Sequence, residues 1–263
     1  MRNILSLIII ALLFTSCEKI VDLDYKSNQS KIIIEGNITN EVGPYYVKIT
    51  KSLSLTDTTA YPTIDNAIVT INDDAGNSEI LSPQGSGVYQ TTTLEGVEGR
   101  TYTLTVDVDE QTYTAQSTMP LKVPFDSISV EEVKLGGDIE YNFIPVYKDP
   151  EEEGNNYRFE MSLNYNLISQ HLVLNDVINN GLVNTLKLEI NDDDLEFKAG
   201  DLVSIEMQCI DKNVSLYYTA LALMADNGPG GGTTPNNPPN NISNGALGVF
   251  SAHTVETKDV TIP

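Results

Sequence analysis

Between residues 31 and 120 the chain alternates apolar and polar positions almost without a break. Tyr45, Val47 and Ile49 alternate with Tyr46, Lys48 and Thr50, and Ala67, Val69 and Ile71 with Ile68 and Thr70. Tyr102, Leu104, Val106 and Val108 alternate with four polar neighbours, and Tyr113, Ala115, Ser117 and Met119 repeat the pattern. Successive side chains of an extended chain point to opposite faces, so each run predicts a strand with one buried face. β-branched and aromatic residues suit that pleated, half-buried surface. Turn chemistry separates the runs at Gly43-Pro44, Asp73-Asp74-Ala75-Gly76-Asn77, Ser82-Pro83-Gln84-Gly85 and Gly96-Val97-Glu98-Gly99.

About seven short strands at this spacing predict a mainly β fold that opens with an immunoglobulin-like, carboxypeptidase-regulatory-like sandwich over 31–120. It is not of the antibody type, because the chain has no Trp and only two Cys. Pro120 and Pro124 stiffen the exit from that domain. A second β-rich domain is expected over 121–263, with strands at 127–133, 138–147, 156–163, 182–190, 202–210, 245–252 and 255–262. Residues 166–179 suit a helix or a loop. One helix is predicted near 213–226: Asp211 or Asn213 can cap its start, and Asn227-Gly228-Pro229 stops it. Its Leu, Tyr and Met side chains are expected to pack on the second sheet. Residues 227–241, rich in Gly, Pro and Asn, cannot build a core and predict a long exposed loop, either a spacer or a partner-contacting surface.

The N-terminus carries a different pattern. Arg2 precedes the apolar run Ile4 to Phe14, followed by Thr15-Ser16-Cys17. The run is too short for a span, which needs about 20 apolar residues, and has the proportions of a signal peptide. Small residues ending in cysteine resemble a bacterial lipobox, with Phe14 where a smaller aliphatic residue is commoner. The expectation is cleavage between Ser16 and Cys17, a signal peptide over 1–16, lipid on Cys17, and a tether over 17–30. The partner so implied is the outer membrane, held through that lipid. Cys209 is then left without an intrachain partner. It shares one strand face with Val203, Ile205 and Met207, so it is expected to be a small core residue.

Charge narrows the partners. With 15 Lys+Arg against 37 Asp+Glu the net charge is −22, and loss of Arg2 with the signal peptide deepens it by one. Such a surface repels nucleic acid and anionic lipid headgroups, so no nucleic acid is expected to bind. Catalysis has little to stand on. The two histidines, His171 and His253, are far apart and carry no nucleophile or metal pattern beside them. No enzyme activity, catalytic residue, metal or cofactor is expected. The acidic clusters Asp73-Asp74, Asp149 with Glu151-Glu152-Glu153, and Asp192-Asp193-Asp194 lack calcium-loop spacing and suit solvated turns. Tyr45-Tyr46 and Tyr217-Tyr218 suit core or edge roles better than a sugar platform.

Several stretches in combination resemble one family: Cys17-Glu18-Lys19-Ile20-Val21-Asp22-Leu23, Ile33-Ile34-Glu35-Gly36-Asn37-Ile38-Thr39, Gly87-Val88-Tyr89, Asn156-Tyr157-Arg158-Phe159, and Asn237-Pro238-Pro239-Asn240-Asn241-Ile242-Ser243-Asn244-Gly245. They are similar to the domain-of-unknown-function 4249 lipoproteins of the Bacteroidota outer membrane. The resemblance runs from Cys17 to the C-terminus and brings no established activity. Members are commonly encoded beside TonB-dependent receptors, which implies an accessory or binding role in nutrient uptake. A structural or adhesive surface lipoprotein is the alternative, and a hydrolase the remote one. Glu18 and the later Asp22 and Asp24 only partly match the acidic export stretch of surface lipoproteins, so the cell surface is favoured and the periplasmic face stays open. Asp57-Thr58-Thr59 and Asp126-Ser127-Ile128 resemble O-glycosylation sites of that phylum, with Thr58 and Ser127 as acceptors.

Overall fold

Alternating strands must bury their apolar faces against one another, and here three sheets do so. The computed structural model describes residues 30–53, 59–135, 138–191, 195–226 and 237–263. In the first half the strands are β1 (Ile32–Thr39), β2 (Tyr46–Lys51), β3 (Ile68–Asp73), β4 (Ser78–Ile80), β5 (Ser82–Gly85), β6 (Val88–Gln90), β7 (Thr101–Val108) and β8 (Gln111–Thr118). Then come β9 (Ser127–Leu135), β10 (Asp138–Val146), β11 (Asn156–Leu163), β12 (Asn166–Asn175), β13 (Leu202–Ile210), helix α1 (Lys212–Asp226) and β14 (Leu247–Thr261). The fold is mainly β, with a single helix among the described residues. Eight strands stand in the first half where about seven are expected, because the turn-rich stretch 78–90 holds three very short ones.

One sheet has the order β12-β11-β13-β14-β1-β2-β6-β5; the others are β4-β3-β7-β8 and the hairpin β10-β9. The long sheet backs two cores on the same face. Ile34, Ile38, Val47, Ile49 and Phe250 pack with Val69, Ile71, Tyr102 and Leu104 of the four-stranded sheet. Phe159, Met161, Val203, Ile205 and Cys209 pack with Phe125, Phe143 and Tyr147 beneath the hairpin. Cys209 is 3% exposed, as its strand pattern predicts. By backbone contacts Lys31–Pro263 form one compact unit.

β14 explains the continuity. Its first half pairs in parallel with β1, from Ile33↔Leu247 to Thr39↔His253. Its second half pairs antiparallel with β13, from Cys209↔Thr254 to Leu202↔Thr261. Phe250 and Ala252 enter the first core, and Val260 and Ile262 reach the second. The two strands expected at 245–252 and 255–262 are therefore one. Nothing in the local sequence separates them, and pairing on both sides holds the extended chain through His253 and Thr254.

Two further expectations change. Residues 182–190 are not a strand: Val183 makes an isolated bridge to Lys148, and Asn184 and Leu188 donate their N–H groups to Tyr147 and Phe143. The segment runs along the end of β10 and the residues just after it, without a regular ladder. Residues 166–175, open between helix and loop by their pattern, form β12, which pairs with β11 across a register shift between Phe159 and Met161. That irregularity blurs the period-two signal.

Helix α1 begins where the sequence places it, and Asp211 is the cap. Its Oδ1 accepts the N–H groups of Asn213 at 2.8 Å and Val214 at 3.0 Å. Its Oδ2 accepts the Ser117 hydroxyl and the Thr118 N–H at 3.2 Å, so one carboxylate ties the helix to β8. Val214 joins Ile210 and Val249 in a small cluster on the face of the long sheet opposite the two cores, with Tyr217 and Tyr218 against it. Leu216, Leu223 and Met224 are exposed, so only the Tyr side of the helix packs as expected. Asp211→Ala should lose the cap and leave buried donors unmet, at a cost of about 2 to 3 kcal/mol. Asp211→Asn should retain most of it. Urea midpoints of the two variants check this; equal midpoints would show that the carboxylate is not the tie.

Candidate functional site

The opposite face of the long sheet carries the candidate site, an open groove of about 640 Å³. Period two assigns its floor. In β14 the even positions enter the cores, which leaves Val249, Ser251, His253 and Val255 on the groove face. β1 adds Glu35, Asn37 and Thr39, β2 adds Tyr46 and Lys48, β11 adds Arg158 and Glu160, and β13 adds Glu206 and Gln208. Tyr218 of α1 closes one side.

At its centre lies Arg158. Its guanidinium carbon stands 4.1 Å from the centroid of the Tyr218 ring, a distance at which ring and cation attract. Nη1 donates to Gln208 Oε1 at 2.7 Å, and Nη2 pairs with Glu160 at 2.6 Å. Nε is buried with no partner among the described residues. Gln208 in turn donates to Glu206 Oε1 at 2.7 Å. Arg158 and Gln208 are cross-strand partners, as are Glu160 and Glu206. The second pair sets two carboxylates directly opposite each other, an unfavourable arrangement in a sheet. Burial raises the Glu206 carboxyl above its usual range; Gln208 and Arg158 oppose the rise, and Glu160 and Glu41 add to it.

Both histidines border this arginine. His253 is 4% exposed, and its Nδ1 lies 2.9 Å from Ser251 Oγ. Burial, with Arg158 adding to it, pushes its pKa down to about 3, so the ring is neutral at pH 7. The His171 ring lies 5.6 Å from that of Tyr218, tilted by 45°, and burial and then Arg158 lower its pKa. Its Nδ1 is buried with no partner among the described residues, and it borders a second cleft between β12, residues 187–191 and α1. Sequence spacing had kept the two histidines apart. Arg158 lies in the Asn156-Tyr157-Arg158-Phe159 motif, yet at an outward position of its strand, where a charged residue reads as ordinary solvent exposure.

Other candidate residues fall elsewhere. Ser16, Cys17 and Thr58 lie outside the described residues, as do Asp192-Asp193-Asp194 and residues 227–236. Ser127 is exposed at the start of β9, opposite Val146. Asp74 and Glu151-Glu152-Glu153 are exposed, as expected of solvated turns, but one carboxylate in each of these two clusters is buried. Asp73, 8% exposed, accepts from Asn77 and pairs with Arg100 at 2.7 Å. Asp149, 2% exposed, accepts from the Tyr157 hydroxyl and the Gly181 N–H. Among the described residues no three His, Cys, Asp or Glu side chains are grouped as metal ligands. No described helix is long and apolar enough to cross a membrane.

The end of the Gly/Pro/Asn stretch is tied into the fold. The Asn241 amide donates to Phe250 O at 2.6 Å and accepts the Phe250 N–H at 3.1 Å, filling in for a strand neighbour of β14. Asn240 Nδ2 donates to Ala246 O, and Ser243 Oγ accepts the Thr114 N–H of β8. These contacts give the Asn-Asn-Ile-Ser-Asn motif a structural task.

The protein family described as Domain of unknown function (DUF4249) matches residues 18–259. No curated protein matches the sequence.

Proposed function

The chain belongs to the DUF4249 family, and from that premise we propose that it is a lipid-anchored binding protein of the outer membrane, accessory to a TonB-dependent receptor in nutrient uptake. The observation that carries the binding part is the groove: a polar floor of about 640 Å³ in which Arg158 is already oriented by Glu160, Gln208 and Tyr218. A preoriented polar site loses less entropy on binding than one that must order itself. The anchor rests on the N-terminal pattern ending at Cys17, and the receptor on the family's gene context. Acyl chains on Cys17 contribute about 0.8 kcal/mol per buried methylene, enough in combination to hold the protein on a bilayer.

Cys17→Ala should move the protein from the membrane to the soluble fraction in cell fractionation. Wild type solubilised in mild detergent should bring a TonB-dependent receptor with it in near-equal amount. Recovery of wild type alone, still in the membrane fraction, would end the accessory role and leave a structural or adhesive lipoprotein. Protease treatment of intact cells separates the cell surface, which we favour, from the periplasmic face.

A further inference from the structure

We propose that the groove takes its ligand by a protonated amine seated on Glu206, opposite Glu160; this rests on the groove being the binding site. The floor holds more acid than it can neutralise. Glu160 is matched by Arg158 at 2.6 Å. Glu206, directly opposite, has only the neutral Gln208 amide on Oε1, and Oε2 has no hydrogen-bond partner among the described residues. A half-buried carboxylate with one neutral donor leaves lone pairs unmet. Glu160 and then Glu41 add negative potential at the same carboxyl group, and Arg158, already paired with Glu160, offsets part of it. The other cation of the groove, Lys48, stands on β2, three strands from β13 in the sheet order.

A second observation is independent of the acids. His253 is 4% exposed and lines the groove; Ser251 holds its Nδ1, and its Nε2 has no hydrogen-bond partner among the described residues. The neutral ring therefore brings a hydrogen-bonding atom to this face without adding a positive charge that would repel an amine. Tyr218 is already covered by Arg158, and the unpartnered Arg158 Nε is a donor that an ammonium group cannot use, so the amine falls to Glu206 and its polar flank to the imidazole. Together they suit a ligand with one ammonium group and a neutral polar flank, such as a lysine side chain or an amino sugar.

Ligand-observed NMR titration of the detergent-solubilised full-length protein tests this, with Nα-acetyl-lysine amide as probe and its Nε-acetylated form as the neutral control. The amine probe should bind, and Nε-acetylation should weaken it about tenfold, the size of a lost charge-assisted hydrogen bond. Glu206→Gln should weaken the amine probe by a similar factor and melt no lower than wild type, since it relieves the facing carboxylates. Glu131→Gln removes the same charge from exposed β9 and should leave binding unchanged, which controls for general attraction to an acidic protein. Failure of the amine probe to bind, or equal loss in both Gln variants, would overturn the inference. Equal binding of both probes would also overturn it; if Tyr46→Ala, on the groove wall, then weakened both, the groove would stand as a site for neutral ligands.

Discussion

Gly248→Ala is expected to cost on the order of 4 kcal/mol, combining left-handed backbone strain with overpacking. Gly248 has φ +102°, and a Cβ there would lie 2.0 Å from the Ile34 carbonyl oxygen and 2.8 Å from its carbon. Both obstacles are backbone, so no side chain can move aside. The site is the start of the β1–β14 pairing, the one parallel ladder among the described strands. β14 also carries Phe250 and Ala252 into the first core, so a displaced start should loosen more than one hydrogen bond. The same change at Gly245, φ +72° with open space around the added atom, should cost only about 1 kcal/mol of backbone strain. Denaturant unfolding measures both, and hydrogen exchange should show β1 losing protection first in Gly248→Ala. A loss below about 1 kcal/mol at Gly248 would mean that the ladder yields there.

Acid should destabilise the protein earlier than its carboxylates alone would require, because of His253. Its ring is held neutral to about pH 3, against an ordinary value of 6.5, mainly by burial and secondarily by Arg158. The unfolded chain therefore binds this proton first. Stability present above pH 6.5 is lost as the pH falls toward 3, by up to roughly 5 kcal/mol. His171, also lowered, adds in the same direction. Three carboxylates follow at lower pH. Burial works against Asp73, Glu79 and Glu256, yet hydrogen bonds and cations hold all three below their ordinary values. For Asp73 these are Asn77 and Arg100, for Glu79 the N–H groups of Thr92, Thr93 and Leu94, and for Glu256 mainly Lys122 and Phe125. Their contribution is present above pH 4.5 and is lost as the pH falls through the depressed values. Glu206 has the opposite sign: its carboxyl is raised, so protonation in the fold offsets part of the loss. Urea midpoints at pH 7, 6, 5 and 4 should fall steadily for wild type and clearly less for His253→Asn. Parallel curves would show that the buried imidazole is not the acid-sensitive group.

Where structure depends on neighbours along the chain, the sequence determined it. Strands β11 and β13 begin and end at the residues their alternation marks, 156–163 and 202–210, because the period of two is set by backbone geometry. The helix start, with Asp211 one of two candidate caps, and the burial of Cys209 were legible because they too depend on near neighbours. Pairing is not local. Whether residues 245–262 make two strands or one depends on β1 and β13, each contributed by a distant segment. Residues 182–190 have a strand's composition, but their hydrogen bonds to Phe143 and Tyr147 form no regular ladder. The groove lay furthest from view. Arg158, Glu160, Glu206 and His253 each occupy an outward position on an amphipathic strand, where charge and polarity look like ordinary contact with water. Only sheet order places β11, β13 and β14 side by side, and only the fold of α1 onto that face sets Tyr218 against the guanidinium.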